Sequence, residues 1–394
     1  MRRVGWIAIA AVIGALAGAA GMAALQDSSD LEPVARTEAP VKTAPAPEPQ
    51  ESVLLVWTPE KLPADLPARV SALPQVRRST VVDGAAVNLV ASFSADGQPV
   101  DAPPTGLSIP VDALAIDPET YAPFFDKAAQ ARLRALRPGE ALLGATSAGL
   151  RRAGAGAVLQ LADGGPVTVA GVIDDEVVGA AEVVVDKATG PFVGVDRPRF
   201  LLVSYEGDRN ALEQAIGALL PEGVRARFRG RGETPYLRHA DAVLPHALIK
   251  ARFGEFAYRP PETDRFFDED PTWSSENVVA TRVPILGTIR CHRAVIPALE
   301  RALRELEDRN LSFLIDTSGY QGCWVPSVIP GDGGMSRHSW GVAIDLNFTK
   351  NPTGLASAVD PRLVEVMDRW GFISGANYLV PDPGHFEYLR PPRE

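Results

Sequence analysis

"GMSRHSWGVAIDLN", Gly334 to Asn347, sets a histidine seven positions before an aspartate inside an otherwise apolar run. The chain holds only five histidines in 394 residues, so each one narrows the reading. In a strand, alternate residues share a face. Val342, Ile344 and Leu346 would then point one way, and Ala343, Asp345 and Asn347 the other. An aspartate in the middle of such a run needs a partner, because burying an unpaired carboxylate is costly. Two readings fit this stretch alone. Asp345 is either a core carboxylate bonded to backbone or a ligand whose charge a cation offsets.

A second stretch, "PDPGHFEYLR" from Pro381 to Arg390, bears on the choice. His385 and Glu387 are two apart and share a strand face, while Phe386 and Tyr388 form the opposite, apolar one. The preceding "PDPG" is turn-forming. His338, Asp345 and His385 together supply two imidazoles and a carboxylate. That is a common ligand set for a catalytic Zn2+ whose fourth position is left to water. Zinc brings the pKa of water to about 7. A carboxylate that is not a ligand then accepts the proton, and Glu387, one pleat from His385, is placed for it.

With these residues in hand, "SRHSWGVAIDLN" and the terminal "GHFEY" resemble the zinc D-alanyl-D-alanine carboxypeptidases of the VanY type, a family that includes the L-alanyl-D-glutamate peptidases of phage lysins. The family pattern S-x-H-x-x-G-x-A-x-D, then H-x-E, is met by Ser336, His338, Gly341, Ala343 and Asp345, then His385 and Glu387. The likeness runs over much of 251–388, including "VPILGTIRCH" and "TSGYQGCW", and stops short of the first folded region. It implies an α+β fold of the Hedgehog/DD-peptidase kind, zinc held by His338, Asp345 and His385, Glu387 as catalytic base, and a peptidoglycan stem peptide as substrate. Release of a terminal D-alanine is the leading activity. Stem-peptide endopeptidase action is an alternative, and so is a non-catalytic zinc-binding recognition domain, as in animal Hedgehog. Two positions depart from the family: Gln321 and Ser327 stand where relatives carry an arginine for the substrate. Tyr320, Gln321 and Ser336 are the candidates for polar contacts to substrate.

The rest of the chain sets the context. A net charge of −10 argues against a nucleic-acid partner. Arg2 and Arg3 precede the uncharged segment Val4–Leu25. That is long enough to cross a bilayer as a helix, with a cytoplasmic N-terminus. Residues 1–25 are therefore expected to anchor the chain in the cell membrane as a single pass, with the bulk outside the cytoplasm. Small residues at Ala20–Ala24 leave a cleaved, secreted form open. The proline-rich stretch 26–52 is a linker. Residues 53–243 form a mixed α+β region in which "AVLQLADGGPVTVAGVI" spells a hairpin. Leu136–Asp175 loosely resembles the extracytoplasmic domains of MacB- and FtsX-type permeases, which implies an interaction module for a membrane protein complex. Residues 244–394 form a separate domain. There "IRCHRAVIPALERALRELEDRN" is expected as a helix from Cys291, "LSFLID" as a strand, and "DPRLVEVMDRWGF" as a helix capped by Asp360 and stopped at Gly371. Cys291 and Cys323 are a disulfide candidate in an oxidising location; two free thiols or a thiolate ligand satisfy the same count. His292 is expected to be structural, and Asp268, Glu269 and Asp270 a solvated loop. Trp324 and Trp340 are open to either a cleft or a core role.

Overall fold

A computed structural model of the chain describes residues 52–262, 265–330 and 333–390. The expected anchor at 1–25 and nearly all of the linker lie outside those residues. Among the described residues, no helix is long and apolar enough to cross a membrane.

The first region is organised by one long strand. β1 (Ser52–Trp57), β2 (Val76–Phe93), β3 (Pro99–Asp101), β4 (Ile109–Ile116), β5 (Glu140–Gly144), β6 (Val158–Leu161), β7 (Pro166–Ile173), β8 (Val183–Asp186), β9 (Pro198–Tyr205) and β10 (Arg227–Gly230) join one sheet in the order β10-β1-β9-β2-β4-β8-β5-β7-β6, with β3 on β2. The second half of β2 also pairs β6, Leu89 opposite Leu161 and Phe93 opposite Val158, so the sheet closes on itself. Val87, Leu89, Val111, Leu143, Leu159, Val169 and Val185 fill the closed part. The expected hairpin is β6–β7, paired antiparallel. β9 is buried along nearly its whole length because it lies between β1 and β2. A helix, α1 (Arg209–Gly217), is capped by Asp208 and buries Leu212 and Ile216 against β1 and β9.

The C-terminal region starts with α2 (His246–Phe253) and the hairpin β11 (Val278–Val283) with β12 (Gly287–His292). It continues with α3 (Ile296–Asp308), α4 (Pro361–Arg369) and a three-stranded sheet, β13 (Ala343–Asp345), β15 (Asp382–Tyr388) and β14 (Phe372–Gly375) in that spatial order. The helix expected from Cys291 begins only at Ile296. Cys291 instead sits on β12 opposite Val279, where the ladder satisfies its backbone. The strand expected at Leu311–Asp316 is a 3₁₀ turn. Its backbone is held by one side chain, Asn347, whose amide oxygen accepts from Asp316 N at 2.7 Å and whose amide nitrogen donates to Leu314 O at 2.8 Å. The capping of α4 is as expected: the Asp360 carboxylate accepts from Arg362 N at 2.9 Å. Gly371 follows the helix at φ +91°, and a Cβ there would lie 1.9 Å from Arg390 O.

Residues 53–243 and 244–394 were expected to be separate domains, yet they belong to one compact unit. A buried ion cluster accounts for this. Lys250 of α2 bonds both oxygens of Glu182 at 2.9 Å. Arg151 meets Glu182 at 3.1 Å, Glu255 at 2.9 Å and Asp101 at 3.4 Å. Arg151, Glu182 and Lys250 are at most 1% exposed. Separating the two regions would break the cross-region pairs Lys250–Glu182 and Arg151–Glu255, and breaking buried pairs is costly.

Candidate metal centre

The small sheet explains the opening pattern. β13 and β15 run antiparallel with Asp345 directly opposite His385 and Ala343 opposite Glu387. Directly opposed residues on one sheet face are close enough to bond. The second histidine comes from a 3₁₀ turn, Arg337–Trp340, in which the Ser336 hydroxyl caps the His338 N–H. Gly341 ends this turn at φ +64°, and a Cβ there would lie 2.7 Å from His292 N. Glycine is required at that point both for the left-handed backbone and for the close approach.

The three ligand atoms converge. His338 Nε2 lies 3.2 Å from Asp345 Oδ1 and 3.2 Å from His385 Nδ1, and Asp345 Oδ1 lies 2.9 Å from His385 Nδ1. A tetrahedral zinc with bonds of about 2.0–2.1 Å needs ligand atoms roughly 3.3 Å apart. The triangle therefore fits a zinc-sized ion, and among the described residues it is the group with the make-up and spacing of a metal site. The ring nitrogens not facing this point are both fixed. His338 Nδ1 donates to Cys323 O at 3.1 Å. His385 Nε2 donates to Glu387 Oε1 at 3.2 Å. Such outer partners set the ring orientation and tautomer of a metal-binding histidine. Cys291 and Cys323 are joined as a disulfide, which anchors the carbonyl that orients His338.

The electrostatics follow from this packing. Burial opposes charge on Asp345, but hydrogen bonds from His338 and His385 outweigh it and hold the carboxyl well below the usual range. Burial likewise opposes a charged His385, yet its bonds to Asp345 and Glu387 push it up to about 10. Glu387 is buried, and bonds from His385 and Val243 N, with the nearby Arg337 charge, bring it down to about 2.

The expected base, Glu387, lies beside His385. Glu387 bonds the ring nitrogen of His385 that points away from the ligand triangle, and its other oxygen accepts from Val243 N at 2.7 Å. Both oxygens are thus engaged on the far side of the imidazole, and the Oε1 bond orients the His385 ring. The carboxylate that the sequence reading passed over is Asp382. It stands three residues before His385 at the start of β15, is half-buried, and accepts from Thr353 Oγ1 at 2.9 Å. Burial raises its pKa, and the charges of His385, Asp345 and His338 all act on it. The signal was present in "DPGH", but its proline and glycine mark a turn and drew attention from the acid.

The remaining candidates divide. The Tyr320 phenol is pushed up to about 12 by burial and by the charge of Asp345. Gln321 is exposed, and its N–H donates to Asp345 O at 3.3 Å. The Ser336 hydroxyl accepts from His338 N at 3.3 Å, so it shapes the turn. Ser327 is buried, with its N–H and C=O both bonded to Ser339 Oγ. His292 is structural: Nε2 donates to Phe253 O at 3.1 Å and Nδ1 accepts from Ala294 N at 3.1 Å. Trp340 is core, donating to Gly254 O at 3.0 Å, whereas Trp324 is half-buried with the Arg290 guanidinium 4.1 Å above its ring. Asp270 caps a short helix, and Glu269 is no solvated acid: burial pushes it up to about 7.

Residues 330–388 match the family model described as D-alanyl-D-alanine carboxypeptidase. This segment contains all three ligands, Asp382 and Glu387. No curated protein matches the chain. Among solved structures, the periplasmic region of MacB from Actinobacillus actinomycetemcomitans is similar at 11% identity and a TM-score of 0.32, covering 44% of this chain and 87% of that one. The extracellular domain of the noncanonic ABC-type transporter YknZ from Gram-positive bacteria is similar at 11% identity and a TM-score of 0.30, covering 46% of this chain and 100% of that one.

Proposed function

We propose that the chain is a membrane-anchored zinc peptidase that acts outside the cytoplasm on peptidoglycan stem peptides, releasing the terminal D-alanine. The observation that carries this reading is the His338–Asp345–His385 triangle, lying within a segment that matches a peptidase family. When bound there, zinc supplies Lewis-acid polarisation of the scissile carbonyl and lowers the pKa of water toward neutrality. The protein's own part follows from the site. Asp382, raised by burial and felt electrostatically by His338, Asp345 and His385, takes the proton of the attacking water and returns it to the leaving amine. Glu387 holds His385 through Nε2, and the Cys323 carbonyl holds His338 through Nδ1. Tyr320, beside Asp345, faces substrate.

A second reading is zinc binding without catalysis, favoured by one observation: Gln321 and Ser327 provide no cation for a substrate carboxylate. The experiment incubates the full chain, loaded with zinc, with pentapeptide muropeptides and follows products by mass spectrometry. Loss of 71 Da per stem, about one alanine residue, abolished by chelation and restored by zinc, supports the carboxypeptidase. Cleavage within the stem supports endopeptidase action instead. Intact muropeptides with zinc stoichiometrically bound would leave the non-catalytic reading standing and reject the peptidase.

A further inference from the structure

The segment that matches the peptidase family, 330–388, does not build the metal centre alone. Asp382 and His385 lie on β15, and the chain reaches β15 through residues 376–381, which belong to no helix or strand. That approach is held by the first region. Asn377 O accepts from Arg227 Nη2 at 2.6 Å, and Leu379 N donates to Asp241 Oδ2. The Leu379 side chain packs on a core cluster of the first region that includes Leu55, Phe200 and Leu202. From the C-terminal region the same stretch receives little backbone support: Tyr378 N donates to Gly375 O at 3.0 Å, and Pro381 O accepts from Gly354 N at 2.6 Å.

Asp241 is itself fixed by the large sheet. Its Oδ1 accepts from Arg229 Nη2 at 2.7 Å, and Arg229 also donates to Arg238 O at 2.8 Å and Ala240 O at 2.6 Å. Arg227 Nε lies 3.4 Å from the same Oδ1. Both arginines stand on β10, which is laddered to β1. The side chains of Arg229 and Asp241 are under a tenth exposed, so water competes little for these bonds. Two residues further on, Val243 N donates to Glu387 Oε2 at 2.7 Å, and Glu387 Oε1 meets His385 Nε2 at 3.2 Å. The connecting segment therefore bears on β15 at Glu387 and on the chain that leads into it.

We propose that Asp241 is a positioning residue for the metal centre: together with Arg227 it clamps the approach to β15, and so sets the ligand His385 and the acid Asp382. An irregular stretch keeps one course only through the bonds made to it. Ligand and catalytic groups must be held within about 0.5 Å and 10–20° of their working geometry, so the course of the chain entering β15 matters to the site. The proposal rests on the reading of His338, Asp345 and His385 as a zinc site. It goes beyond that reading by making the first region part of the site, so that a shift of β10 reaches His385 through Asp241. A merely structural Asp241 would affect stability and leave the metal untouched.

The test uses the full chain. Arg227→Met removes the bond to Asn377 O and leaves Asp241 paired with Arg229; Asp241→Ala removes the bond to Leu379 N. Each should weaken zinc in a chelator competition by about three- to tenfold, less than the 10–100-fold typical of losing a direct outer partner. The d–d absorption of the cobalt(II)-loaded chain follows ligand geometry and should shift in both. Amide hydrogen exchange over 376–388 should be faster in both, in the metal-free chain as well. Arg227→Lys keeps a donor for Asn377 O and should restore most of the affinity. Asp208→Ala uncaps α1, elsewhere in the first region, and should lower the unfolding midpoint while leaving zinc affinity unchanged. Asp241→Ala also leaves Arg229 buried without its carboxylate; should that chain fail to fold, the Arg227 variants decide. Zinc affinity and cobalt spectrum unchanged in the clamp variants would overturn the proposal, and so would equal weakening in Asp208→Ala. A wild-type chain that binds no zinc would reject the metal reading and this proposal together, whereas zinc bound equally by wild type and clamp variants rejects this proposal alone.

Discussion

Lys250→Met tests whether the buried ion cluster makes one body of the two regions. Lys250 is 1% exposed and meets Glu182 at 2.9 Å and Glu255 at 3.1 Å. Methionine keeps most of the volume and removes the charge. Two carboxylates are then left with Arg151 alone, and breaking a buried pair from one side costs about 3–5 kcal/mol. The electrostatics of Glu255 point the same way. Burial opposes ionisation of Glu255, but Lys250 and Arg151 bring it down to about 2 from an ordinary 4.5. A carboxyl so depressed stabilises the fold by about 3 kcal/mol above its unfolded pKa, and the contribution is lost as pH falls from 4.5 through 2. Urea unfolding of the full chain at pH 7 should show one transition, displaced by about 3–5 kcal/mol in Lys250→Met. The variant should also begin acid unfolding at higher pH, because Glu255 has lost a cation. In a Glu182→Gln background the same change should cost at least about 1 kcal/mol less, since contacting groups do not add independently. A cost under about 1 kcal/mol, full additivity, or two separate transitions in the wild type would refute the account.

Four further outcomes follow from single contacts. Glu387→Ala should weaken zinc binding about 10–100-fold in a chelator competition, because His385 loses its outer partner; unchanged affinity would contradict the positioning role. Asp382→Asn should leave zinc affinity intact and slow muropeptide cleavage by about 10²–10⁴-fold, and full activity would return the base assignment to open ground. Gly371→Ala should cost more than about 1–2 kcal/mol in denaturant, since φ is +91° and the new Cβ meets Arg390 O. Replacing Cys291 and Cys323 with serine should cost roughly 3–4 kcal/mol in the chain-entropy model, and reductant should destabilise the wild type equally.

What could be read in advance depended on whether a residue's partner was near in pattern. The juxtaposition at the candidate metal site was legible because strand alternation puts Asp345 and His385 on usable faces, and the cross-strand register then sets them opposite each other. The same alternation left the contact of Glu387 undefined. Spacing shows that Glu387 shares a face with His385, but not which ring nitrogen each neighbour meets, and here Glu387 takes the one pointing away from the ligand triangle. The cap of α4 was legible because Asp360, Pro361 and Gly371 act on their own backbone. The strand expected at Leu311–Asp316 was not, because its backbone is satisfied by Asn347, more than 30 positions later.

The union of the two regions is the extreme case of this limit. Arg151, Glu182, Lys250 and Glu255 are spread over about a hundred positions, and each alone has the sequence context of an ordinary surface charge. Their burial is affordable only in the presence of the others, so no single one could be assigned to the interior from its neighbours. The same argument governs Asp345. It was recognisable as a ligand only because two histidines in the same small region offered it a shared cation.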